Sequence, residues 1–99
     1  MAQYDVYANP AGQGYLLDVQ TDFLSGLNTR IVVPLLPEGS APKPAKRLNP
    51  VFVVDGQPHV MVTQFLSAVP SSLLSGRPTS LLPEAVTITT ALDMLTHGF

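Results

Sequence analysis

Ninety-nine residues leave room for one hydrophobic core, so residues 1–99 are expected to form a single domain. Charged residues are 12%, against a usual share of roughly 25%, while hydrophobic ones are 45%. The absence of cysteine excludes a disulfide scaffold, and a net charge of −2 with five Lys and Arg disfavours direct nucleic-acid binding, which depends on neutralising phosphates.

The chain opens Met1-Ala2-Gln3-Tyr4-Asp5, with no basic segment ahead of an apolar core, and no apolar run reaches membrane-spanning length. A soluble cytoplasmic protein is the expectation. Residues 3–7 alternate in type and predict a first strand. Asn9, Pro10, Ala11, Gly12, Gln13 and Gly14 have the composition of a turn or loop.

Residues 15–19 and 31–36 are two apolar runs joined by the polar link Ser25-Gly26-Leu27-Asn28, the pattern of two strands with a reversal. In the first, Leu17 and Val19 point one way and Asp18, Gln20 and Asp22 the other, as in a half-buried strand. The second predicts a strand covered on both faces and ending at Pro34, where a donor is lost. Residues 37–50 hold four prolines and read as an exposed excursion, with Lys43, Lys46 and Arg47 as a small basic cluster.

Residues 51–54, then Asp55-Gly56, then residues 60–63 give the clearest hairpin signal, with Asp-Gly favouring a type I′ turn. Gln57-Pro58-His59 leaves its register open. Residues 65–69 continue or bend the sheet, and 73–82 read as irregular. In the tail, Pro83, Glu84 and Gly98 suit the start and stop of a helix, and Ile88, Leu92, Leu95 and Phe99 recur at helical spacing. The run Val86-Thr87-Ile88-Thr89-Thr90 instead favours a strand by propensity.

Chemistry is sparse. Only His59 and His97 serve as unperturbed bases near neutral pH, and no nucleophile elbow, phosphate-binding loop or dinucleotide fingerprint occurs. Asp18 and Asp22 on one strand lie about 13 Å apart, too far for a glycosidase pair. Neither a catalytic residue, a metal site nor a cofactor is predicted. His59, after Pro58, reads as a surface strand residue. A domain this small buries only about 60–65% of its unfolded surface, and with so much apolar surface a homodimer is expected.

Asp18-Val19-Gln20 with Asp22, Arg30 and Pro34-Leu35, then Leu48, Pro50-Val51, Met61, Thr63, Val69-Pro70, Ala91 and Gly98, resemble the CcdB family of toxins in order, spacing and total length. The likeness spans nearly the whole chain, with gaps near residues 8–14 and 37–45. It implies a mainly β fold: an SH3-like barrel of antiparallel strands, a small side sheet, one C-terminal helix and a symmetric dimer. It thereby favours helix for residues 83–99.

The resemblance also implies a toxin that performs no covalent chemistry. Members of the family bind the A subunit of bacterial DNA gyrase, trap it with its DNA cleaved, and are neutralised by a CcdA-like antitoxin with a disordered tail. The gyrase-binding surface maps onto Phe23, Leu24, Asp93, Thr96, His97, Gly98 and Phe99. The antitoxin-binding candidates are Asn9, Gly12, Lys43, Lys46 and Arg47. Phe23-Leu24 has a plain alternative, a core anchor under its loop, and Phe99 has another, packing back as the partner of a glycine cap.

His97 departs from the pattern, since the best-known member carries tryptophan there, stacked on an arginine of gyrase. A protonated imidazole is repelled by a guanidinium, so weaker poisoning is expected, most of all below about pH 6.5, the ordinary histidine value. The alternatives are a MazF-like endoribonuclease on the same fold, using Arg30 and Thr63, and a non-toxic small-barrel binding module. An RNA groove needs more positive charge than this chain carries.

Overall fold

Residues 2–99 are described by a computed structural model, in which seven antiparallel strands form one sheet curled into a half-barrel beside one α-helix. The strands are β1 (Asp5–Ala8), β2 (Tyr15–Asp18), β3 (Thr29–Pro37), β4 (Val51–Val54), β5 (Gln57–Met61), β6 (Ser67–Pro70) and β7 (Thr79–Ser80). The helix, α1, is Ala85–His97. The sheet order is β4-β5-β3-β2-β1-β7, and β6 pairs with β3 beside β5.

β3 carries three partners. Along one edge it pairs with β2, from Tyr15 opposite Leu35 to Asp18 opposite Val32. Along the other it pairs first with β6, over residues 29–32, then with β5, over residues 35–37. Pro34 therefore does not end the strand. The Val19 N–H donates to Ile31 O at 3.0 Å, so odd residues of β3 turn their backbone groups toward β2. Pro34 then turns its nitrogen to the far edge, into the gap between β6 and β5, where no donor is required.

The Asp55-Gly56 signal forms a two-residue hairpin, with φ of 53° and 76° and Val54 opposite Gln57. Gln57, Pro58 and His59 belong to β5 itself, a strand flanked by β4 and β3. His59 is consequently buried, not a surface residue. Its Nδ1 donates to Gln57 O at 2.9 Å, and its ring meets Tyr15 edge-on at 5.1 Å. Residues 73–82 are less irregular than their composition suggests, since β7 pairs Thr79 and Ser80 with β1.

One face of the sheet carries Val6, Leu17, Val19, Val33 and Leu35, and Ile88 and Ala91 of α1 pack into it fully buried. Burying Ile88 alone contributes about 1.5–3 kcal/mol, which outweighs the few tenths that each Thr costs in a helix. Thr90 satisfies its hydroxyl on Val86 O at 2.9 Å. The opposite face is also covered: Tyr7, Leu16 and Val32 pack with Leu74 from the segment after β6. Leu17 and Asp18, on opposite faces of β2, are both wholly inaccessible. Asp18 and Gln20 are thus buried, contrary to the half-buried strand expected from alternation.

Candidate functional site

Between β2 and β3 the chain turns through a short 3-10 helix, Asp22–Leu24. Thr21 caps it, its Oγ1 accepting from the Phe23 N–H at 3.3 Å. Leu24 N–H bonds to Thr21 O, Ser25 N–H to Asp22 O and Leu27 N–H to Leu24 O, so the turn is closed on itself. Asp22 Oδ1 accepts from the Gln3 N–H at 2.8 Å, which ties the turn to the start of β1. On this frame Phe23 stands 98% exposed, with Leu24 and Leu27 about half exposed. Phe23 is no core anchor. Beneath it lies a hollow of about 420 Å³ lined by Gln3, Thr21, Asp22 and Phe23.

The second group sits at the end of α1. Gly98 adopts φ 83° and donates its N–H to Asp93 O and Met94 O, a left-handed cap that only glycine takes without strain. Past it, Phe99 is 69% exposed and touches the His97 ring edge-on at 6.2 Å, so it does not pack back on the core. Thr96 Oγ1 donates to Leu92 O at 2.9 Å and lies 3.0 Å from His97 Nδ1. With its one proton on Leu92 O, the hydroxyl oxygen is left to accept from His97 Nδ1. Asp93 Oδ1 lies 3.9 Å from the same Nδ1.

The structure therefore brings Asp93, Thr96, His97, Gly98 and Phe99 together, and Phe23 with Leu24. It does not join the two groups within one chain: the Asp22–Leu24 turn shares no extended packing with α1 among the described residues. Such exposed aromatic knobs on rigid, capped turns suit insertion into a partner's pocket.

A ribonuclease built on Arg30 and Thr63 does not fit. Arg30 is 1% exposed and spends its charge on Asp18, with Nη2 to Oδ2 at 2.7 Å. Thr63 is fully buried, its hydroxyl bonded to Leu48 O. Neither side chain reaches a substrate.

Of the antitoxin candidates, Gly12, Lys43, Lys46 and Arg47 are exposed, and Asn9 uses its side chain to hold the Ala11 N–H at 2.9 Å. A Ser40 Oγ to Gln13 Oε1 hydrogen bond of 2.9 Å links their two loops.

Behind the Phe23 turn lies a buried polar network in which Arg30 has the structural role expected of it, paired with Asp18 where the sequence offered Asp18 or Asp22. Arg30 Nε donates to Asp18 Oδ2 at 2.9 Å and Arg30 Nη2 to Gln20 O at 3.4 Å. Asp18 Oδ1 accepts from the Gln20 N–H at 3.1 Å. Polar residues at i, i+2 on β2 opposite an arginine on β3 were the available signal. Burial pushes the Asp18 carboxyl above its ordinary range, outweighing the Arg30 and Gln20 hydrogen bonds that pull it down.

Because the folded value is the higher one, ionising Asp18 works against folding. Its contribution is complete below the unfolded value and is lost as pH rises through the folded one. Urea midpoints are accordingly expected to fall as pH climbs from about 4, the unfolded carboxylate value. Asp18→Asn should flatten that slope, and an unchanged slope would refute the assignment.

No curated protein matches the chain. The family model described as CcdB protein matches residues 3–98, nearly the full sequence. With a curled antiparallel sheet, a single capped helix and a match of that extent, this chain belongs to the CcdB family, the toxins of toxin–antitoxin pairs.

Proposed function

We propose that this protein poisons bacterial DNA gyrase without catalysing any reaction itself, binding the A subunit and trapping the enzyme on cleaved DNA. The observation that carries the reading is the almost complete exposure of Phe23 on a turn held by its own hydrogen bonds, matched by Phe99 beyond a glycine cap. Exposed aromatics are costly to hold in water and are the commonest binding hot spots. A homodimer presents each group twice, which suits a two-fold target and adds effective concentration.

A CcdA-like antitoxin with a disordered tail is the second partner, read by the 8–14 loop and the Lys43, Lys46, Arg47 cluster. Purified gyrase supplies the test: adding this protein should inhibit supercoiling and accumulate cleaved DNA. If gyrase turns over normally with the protein in excess, the reading is wrong.

A further inference from the structure

We propose that Gln20 is the positioning residue of the Phe23 turn, a clasp that holds the turn in its target-ready shape; the inference rests on the gyrase reading above. From the near end of the excursion between β2 and β3, the Gln20 side chain reaches its middle and its far end. Its Nε2 donates to Leu24 O at 3.2 Å and to Thr29 O at 3.1 Å, and its Oε1 accepts from the Ile31 N–H at 3.1 Å. All three bonds cross the mouth of the loop, where Gln20 is only 7% exposed. The residue is itself fixed from below, with its N–H on Asp18 and its carbonyl on Arg30.

The apolar side chains of the loop take no part in this closure. None of Asp22, Phe23 and Leu24 is buried. A turn without a buried anchor owes its shape to hydrogen bonds, and here the tertiary ones are those of Gln20, the Asp22 contact to Gln3 and the Ser71 N–H on Asn28 O at the far end of the excursion. Releasing the clasp frees Phe23 to sample other orientations, and binding must then reorder it. The buried Asp18–Arg30 pair is in this sense the footing of an exposed binding group.

Gln20→Met keeps the volume and removes all three bonds; Gln20→Glu keeps the acceptor for Ile31 N–H and removes both donors. Gyrase cleavage should need about tenfold more of either variant, the effect of roughly two net hydrogen bonds. Hydrogen exchange should quicken at the Leu24, Ser25 and Leu27 amides while that of Val33 and Leu35 stays slow.

The decisive comparison is a cycle with Phe23→Ala. If Gln20 acts through Phe23, Gln20→Met costs little once Phe23 is gone. An equal loss in both backgrounds, or loop amides that exchange as in the parent, would overturn the proposal. The exchange readout uses no gyrase. Gyrase that turns over normally with the parent protein in excess therefore counts against the gyrase reading, whereas unchanged loop exchange, or a Phe23→Ala variant as potent as the parent, counts against the clasp.

Discussion

Removing Gly98 and Phe99 is expected to abolish gyrase poisoning while the fold survives. Phe99 is mostly exposed and makes no core contact, and Gly98 contributes only a cap whose freed carbonyls turn to water. The stability cost is that of a frayed helix end, a shift of a few degrees at most in Tm. The cost in binding is far larger. A hot-spot aromatic is worth about 2 kcal/mol or more, and the homodimer proposed above loses it twice, giving about 4 kcal/mol or roughly a thousandfold in affinity. Circular dichroism of the truncated protein, set beside a gyrase cleavage titration, separates the two effects. Retained poisoning by a folded truncated protein would remove α1's end from the binding surface.

The second large effect is on stability. Asp18→Ala leaves Arg30 charged, 1% exposed and without its carboxylate. Breaking one side of a buried pair costs about 3–5 kcal/mol, against a total of about 5–15 for a typical domain. Arg30→Met should cost less, because the Asp18 carboxyl, already pushed up by burial, takes a proton once the guanidinium is gone. Replacing both, as Asp18→Leu with Arg30→Met, should cost much less than the sum, because neither charge is then orphaned. Urea unfolding of the three variants gives the numbers. A loss below about 1 kcal/mol for Asp18→Ala would mean that water reaches Arg30 and that the pair is not truly dry.

Much of this architecture is legible in the residues. The apolar runs mark β2, β3 and β4, and Asp55-Gly56 fixes the β4–β5 turn because it is one of the few pairs that accept positive φ at both positions. The helix is not legible from propensity, since residues 86–90 favour strand; Ile88 and Ala91 become helical because the core takes them. Alternation on β2 shows that its two faces differ, but not which polar face meets water. Asp18 and Gln20 are met by chain that returns later, Asp18 by Arg30 and Gln20 by Leu24, Thr29 and Ile31. His59 was misplaced for a similar reason: Pro58 suggests an edge, yet β4 lies outside it.

The candidate site was legible only by resemblance. Phe23 and Phe99 offer two readings each in sequence, and exposure alone separates them. The clasp at Gln20 is invisible to pattern reasoning, because its partners are two backbone carbonyls and one backbone N–H whose positions exist only once the loop has closed.

β3 also decides where this sequence tolerates change. It is the seam shared by β2, β5 and β6, so its geometry cannot drift without unzipping three pairings together. At Gly14 a side chain would strike Leu35 O at 2.2 Å, and that position is closed to variation. The proline-rich stretch just past β3 touches little, so lineage-specific length and charge can accumulate there without disturbing the seam. An insertion or a change of charge over residues 38–47 therefore leaves the barrel as it is.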